Sequence, residues 1–263
     1  MSFLRVLAIG DVCGSSGCEF LRKKLPTIKR QYNIDFTVVN GENSADGNGI
    51  SSASAELLLN IGADVVSGGN HTLRRPDIHT MLDENSRLLR PHNLPKAKYG
   101  SGYCLVDMGR FQVAVINLSG QIYLERVEAS NPFLAVDELL ERAKNDHADI
   151  IIVDFHAEAT SEKKAMGYYL DGKVSLVFGT HTHIQTSDEQ ILKNGTAYIT
   201  DLGMTGPIDS ILGVDPSIII ARLRDNNMAK FELADEPCSV EGIVVDIDPV
   251  TKKATSIERI RIN

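Results

Sequence analysis

The sequence predicts an α/β fold in which two mixed β-sheets lie between layers of helices, and three observations predict it. Over residues 4–85, β-branched runs alternate with stretches of helical periodicity, the signature of a largely parallel sheet covered by helices. Later segments pair across short turns, as antiparallel additions do. Several apolar runs also end in polar residues of metal-ligand type. The clearest is Val177–His183, where a buried-looking run closes on two histidines one residue apart.

Taken in order, Leu4–Ile9 is an aliphatic strand stopped by the glycine-rich loop Gly10–Gly17. Glu19–Gln31 carries leucines and basic residues at helical spacing, with Pro26 expected to break or kink it. Asp35–Asn40 is the second strand, followed by the Gly/Asn/Ser-rich loop Gly41–Gly49. Ser51 or Ser52 can cap a helix that carries Leu57, Leu58, Leu59 and Ile61 and stops at Gly62. Ala63–Ser67 is a third strand, and Pro76–Asn85 a short helix with proline at its start.

Tyr103–Val106 and Phe111–Asn117 read as a hairpin turned at Met108-Gly109-Arg110. Asn131-Pro132 opens a helix expected to place Leu134, Val136, Leu139, Leu140 and Ala143 on one face. Ile150–Asp154 is a wholly apolar strand until its last residue and runs into His156 and Glu158. A helix over Ser161–Leu170 precedes the strand that ends at His181. Ile191–Ile199 reads as a second hairpin turned at Asn194-Gly195. A loop over Asp201–Asp215, a helix from Pro216, and strands at Phe231–Ala234, Ser239–Ile247 and Ala254–Ile262 complete the pattern. No repeat, long linker or low-complexity tract interrupts it, so residues 1–263 are expected to form a single domain.

Composition narrows the class. Hydrophobic residues are 43% and charged residues 24%, which is ordinary for a folded globular chain. A net charge of −8 argues against DNA binding or other non-specific nucleic-acid binding, which needs a basic face. No apolar run approaches the roughly 20 residues that span a bilayer. The start of the chain is too short and too early broken to be a signal peptide. The four cysteines, Cys13, Cys18, Cys104 and Cys238, show no CxxC spacing and are expected as reduced thiols in a cytoplasmic protein.

Of seven histidines, His71, His156, His181 and His183 follow predicted strands, and Asp11, Glu42, Asn43 and Asn70 sit at equivalent strand ends. A lone histidine there is ordinary. Eight such groups at the strand ends of an α/β sheet, where ligands bind, point to a shared site. Imidazoles mixed with carboxylate and amide oxygens suit iron, manganese or zinc better than calcium or magnesium. There are donors enough for two ions, set ~3.5–4 Å apart as in sites that cleave phosphate esters. If His181-Thr182-His183 continues as strand, both rings point to one side.

The stretches Ile9–Val12, Asn40–Asn43, Gly69–Thr72, Asp154–Lys163, Gly179–Thr186 and Ala197–Pro207 resemble the calcineurin-like metallophosphoesterase superfamily, and more closely its YmdB-like bacterial branch. The resemblance implies a four-layer αββα sandwich holding two divalent or trivalent ions, iron first, with manganese or zinc as alternatives. It implies hydrolysis of small phosphodiesters, including 2′,3′- or 3′,5′-cyclic nucleotides, through a hydroxide bridging the ions. By the same resemblance Asp11, Glu42, Asn43 and His183 would hold one ion. Glu42, Asn70, His156 and His181 would hold the other, with Glu42 bridging, and His71 would assist the leaving oxygen. Where the wider superfamily has a histidine after the first aspartate, this chain has Cys13, and Asn43 is the expected replacement. A phosphomonoesterase or nucleotidase, or a regulatory metal protein acting through partners in RNA turnover, are the alternatives. A homo-oligomer is compatible with all of them. Arg74, Arg75, Arg90 and His92 are further candidates for substrate contact, and Glu158, Thr160, Ser161, Asp201 and Thr205 for support of the imidazoles.

Overall fold

The computed structural model describes residues 3–46, 48–124, 128–226, 229–234 and 237–263. One sheet is built from β1 (Leu4–Ile9), β2 (Asp11–Val12), β3 (Phe36–Asn40), β4 (Val65–Ser67), β11 (Met204–Pro207), β12 (Cys238–Asp248) and β13 (Lys253–Ile262). Its order is β2-β11-β12-β1-β3-β4, with β13 joined to β12. The other sheet contains β5 (Tyr103–Asp107), β6 (Gln112–Ser119), β7 (Ile150–His156), β8 (Leu176–Thr180), β9 (Gln190–Ile191) and β10 (Ala197–Ile199) in the order β5-β6-β7-β8-β10-β9. Helices α1 (Gly14–Gln31), α2 (Ser52–Asn60) and α3 (Ile78–Glu84) cover the first sheet, and α4 (Pro132–Asn145) and α5 (Thr160–Leu170) the second. The remaining helix is α6 (Pro216–Asp225).

Strand alternation makes the layers. Successive side chains of β1 face opposite ways, so Val6 and Ala8 enter the core between the sheets while Leu7 and Ile9 meet Leu21, Leu25 and Ile28 of α1. In β7, Ile150 and Ile152 face the first sheet, and Val153 and Phe155 pack against Val136, Leu139 and Met166 of the outer helices. The result is the four-layer αββα sandwich that the sequence predicted. β1, β3 and β4 run parallel, as do β6, β7 and β8, so their C-terminal ends gather at one edge of the sandwich. Ser119, His156 and Thr180 end three neighbouring strands in register.

Several elements differ from expectation. α1 begins at Gly14 and runs unbroken through Pro26. Pro26 lies on the exposed face, where water can serve the carbonyl it deprives, while the Leu21, Leu25 and Ile28 stripe holds the helix down. Leu134 is 66% exposed and not in the core, because it stands about 200° around the helix from Val136. The expected loop Asp201–Asp215 contains strand β11, and the expected strand Phe231–Ala234 is reduced to a single bridge from Leu233 to Val214. β7 continues to His156, which is therefore the last residue of a buried strand. None of the four cysteines is in a disulfide. Among the described residues no helix is long and apolar enough to cross a membrane.

Candidate metal centre

All eight singled-out residues lie at the gathered strand ends. Asp11 forms β2, Glu42 and Asn43 turn out of β3, Asn70 and His71 follow β4, and His156 ends β7. β8 stops at Thr180, and His181 and His183 lie beyond it with φ of +103° and +61°. The period-two expectation for that pair is therefore wrong. Left-handed backbone at both histidines, uncommon for side-chain-bearing residues, aims the rings instead. Glycine makes the space they need: a Cβ on Gly69 would lie 2.3 Å from both Glu42 Oε2 and His156 Nε2.

Two groups of donors meet at one carboxylate. In the first, His156 Nε2 is 2.8 Å from Asn70 Oδ1, 3.1 Å from His181 Nδ1 and 3.3 Å from Glu42 Oε1. In the second, His183 Nε2 is 3.7 Å from Asp11 Oδ1 and 3.3 Å from Asn43 Nδ2. Asn43 Nδ2 also donates to Glu42 Oε1 at 2.9 Å. Glu42, completely buried, thus touches both groups. Asp11 Oδ1 and Asn43 Oδ1 are buried with no hydrogen-bond partner among the described residues, a costly state for polar oxygens and one that a cation relieves. Turning the Asn43 amide over would present its oxygen beside Glu42 and His183, adding a third oxygen donor. The donor set fits two ions sharing Glu42.

The second partner of each ring fixes which nitrogen keeps its lone pair. Thr180 Oγ1 donates to Asp154 Oδ1 at 2.7 Å, so it accepts from His156 Nδ1 at 2.9 Å and leaves Nε2 free to ligate. Asp154 is itself held by the Asn40 amide and the Ser67 hydroxyl, and Asn40 Oδ1 accepts the Glu42 amide, so one buried network supports both residues. His181 Nε2 lies 3.0 Å from Glu158, which turns Nδ1 inward. Cys13 Sγ sits 3.6 Å from His183 Nδ1, behind the ring and away from its inward nitrogen. The histidine loop is pinned from below. Asp201, in a fully buried ion pair with Lys163 at 2.6 Å, accepts from the Thr182 amide at 3.1 Å.

Protonation reflects this crowding. Burial, then the neighbouring His156 charge, pushes His181 down to about 3, which keeps its imidazole neutral. Burial also opposes ionisation of Glu42, but His156 and His71 outweigh it and hold the carboxyl well below its usual range. His156 and His183 are pushed up: burial works against their charge, but Glu42 overcomes it for His156, and Cys13 with Asp11 and Glu42 for His183. Burial lifts Asp154 to about 6, against its three hydrogen-bond donors.

His71 anchors on Glu42 through its amide, 2.9 Å from Oε2, and its imidazole Nδ1 lies 3.4 Å from Oε1. It faces a cavity of about 290 Å³ that also reaches His181, His183, Asn43 and Glu158. The other basic candidates do not reach it. Arg90 spends its guanidinium on the Tyr99, Pro91, His92 and Gly100 carbonyls, Arg75 clamps Asp46 and Asn48, and Arg74 is exposed. Of the supporting candidates, Glu158 and Asp201 make the contacts above. Thr160 and Ser161 are exposed, and Thr205 is buried with its hydroxyl unpaired. Sequence reading missed the roles of Thr180, Asn40, Ser67 and Gly69, because the partners they meet across the site lie 24 to 140 positions away along the chain. The only signal for Thr180 was its place just before His181.

The family described as YmdB-like protein matches residues 7–260. The chain is 46% identical over 260 residues to a Bacillus subtilis protein named 2′,3′-cyclic-nucleotide 2′-phosphodiesterase, covering 99% of this chain and 97% of that one. The fold superposes on a crystal structure of a novel phosphatase from Mycoplasma pneumoniae with a TM-score of 0.93 at 34% identity, covering 100% of this chain and 94% of that one. A hypothetical protein from Thermus thermophilus gives a TM-score of 0.90 at 36% identity, with 98% of each chain covered.

Proposed function

The chain belongs to the YmdB-like family, and from that premise we propose that it is a two-metal phosphodiesterase acting on small phosphodiesters, cyclic nucleotides among them. The observation that carries the reading is the meeting of two donor groups on Glu42 Oε1 beside a cavity of mononucleotide scale. The name of the Bacillus subtilis relative points to the 2′,3′-cyclic class, opened at the 2′ ester to leave a nucleoside 3′-phosphate.

Asp11, Asn43, His183 and Glu42 would hold one ion, and Asn70, His156, His181 and Glu42 the other. Such ions supply charge that offsets what develops on the transferring phosphoryl group and ease deprotonation of the attacking water. The mixed N and O donors suit iron, with manganese and zinc as alternatives. The protein's own part is to orient these donors, through the Thr180 and Glu158 contacts, and to keep the site narrow. His71, fixed by its backbone to Glu42 and open to the cavity, donates a proton to the departing alkoxide. A single domain over residues 1–263 performs the whole reaction, and four scattered cysteines without CxxC spacing support a cytoplasmic setting.

A panel of 2′,3′- and 3′,5′-cyclic nucleotides, bis-nitrophenyl phosphate and nitrophenyl phosphate tests the reading on metal-loaded protein. Diesters are expected to be cleaved far faster than the monoester. Faster turnover of nitrophenyl phosphate would overturn the choice in favour of a phosphomonoesterase.

A further inference from the structure

The cavity at the metal centre has a mixed lining. Beside the candidate ligands and His71 it carries the apolar residues Ala45, Leu212, Val214 and Leu233. Three of those four come from the excursion between β11 and β12. There the Val214 amide bonds Ile211 O at 3.0 Å, the Asp215 amide bonds Glu232 O at 3.0 Å, and the Ala234 amide bonds Gly213 O at 3.0 Å. With the Val214–Leu233 bridge, these bonds make a small two-stranded flap. Helix α6, between the two strands of the flap, has no fully buried residue. The flap fits closely against the first glycine-rich turn: a Cβ on Gly14 would lie 2.1 Å from Leu233 Cδ1, and one on Gly213 would lie 3.3 Å from Cys13 Cβ.

Leu212 is the odd member. It adopts left-handed backbone, φ +53°, which favours glycine or asparagine, and it is 45% exposed. A leucine held in that conformation at the mouth of a polar site is not explained by core packing. An apolar group of the ligand would explain it.

We propose that Leu212, Val214 and Leu233 seat the nucleobase of the substrate and make the enzyme prefer nucleoside diesters over diesters without a base. This rests on the phosphodiesterase reading. With the phosphate at the Glu42 centre, ribose and base extend into the cavity, where the faces of a flat ring find apolar surface. A volume of about 290 Å³ is at the small end for ligand sites, which fits one nucleotide and not a polymer.

The test uses the metal-loaded full chain and the Leu212→Ala/Val214→Ala double variant, leaving Leu233 in place because it packs on Gly14. The kcat/KM ratio for 2′,3′-cyclic AMP over the 2′,3′-cyclic phosphate of methyl riboside, the same diester without a base, should fall roughly tenfold. A ratio equal to that of the unaltered protein overturns the proposal. Calorimetric binding gives a second readout free of turnover. The affinity for adenosine 3′-monophosphate relative to inorganic phosphate should fall by the same factor in the variant, and an unchanged ratio again overturns it. If the unaltered protein cleaves neither diester but shows the binding contrast, the phosphodiesterase reading fails and the base seat stands.

Discussion

Around His156, both imidazoles of the group have their outer nitrogens engaged, by Thr180 and by Glu158, and Asn70 already lies 2.8 Å from the ring. Around His183, two buried oxygens, Asp11 Oδ1 and Asn43 Oδ1, have no partner among the described residues, and the outer ring nitrogen meets the thiol of Cys13 at 3.6 Å. The same donor types are therefore held at two levels of preorganisation. A ligand set whose tautomers are fixed beforehand loses less on binding a cation than one that must reorder, so the His156 side should bind its ion more tightly. The weaker side is also the one that carries Cys13 and Asn43, where the sequence predicts an amide in place of an imidazole.

The variants that probe this contrast run from loss of both ions to an adjustment of one. Gly69→Ala puts a methyl group 2.3 Å from Glu42 and His156, and it should empty the centre of metal without touching a ligand, as elemental analysis of purified protein would read. Full occupancy there would show that the donors are looser than their spacing suggests. Thr180→Val removes the hydroxyl that orients His156 and should weaken that ion by ~10–100-fold in a metal titration, with the other ion less affected; Thr180→Ser should restore it. Equal loss at both sites would dissolve the distinction between them. Cys13→Ser should produce a smaller shift, a few-fold, and at the His183 side alone.

Acidity separates the two states of the protein as well. His156 and His183 have raised values in the metal-free fold, so their contribution to its stability is complete below their unfolded value of about 6.5 and is lost as pH rises through the folded values. Ligation needs the neutral rings. Metal affinity should therefore rise with pH across the neutral range, and loading should release protons from these rings, measured by titration in buffers of different ionisation enthalpy. Release of none would mean that the rings are neutral already.

How much of this was legible before the structure depends on distance along the chain. The layers were readable because strand and helix periodicities are local, and the end-of-strand positions of Asp11, Glu42, Asn70 and His156 followed from them. Local rules failed where tertiary contacts decide. Pro26 stays inside α1 because its exposed side tolerates the missing bond, and Leu134 is simply on the wrong side of its helix. The His181 and His183 rings are aimed by left-handed backbone that an Asp201–Lys163 pair holds from beneath, and no spacing rule anticipates that. Asp154 illustrates the same limit. In sequence it ends an apolar run, and in the fold it joins the ends of β3, β4 and β8.

The central claim is that one buried carboxylate joins two ion sites, and metal stoichiometry tests it most directly. Metal-stripped protein titrated with manganese should take up two ions per chain, and Glu42→Ala should take up neither at comparable concentration while keeping its fold by circular dichroism. Retention of both ions by Glu42→Ala, or uptake of only one by the unaltered chain, would contradict the account.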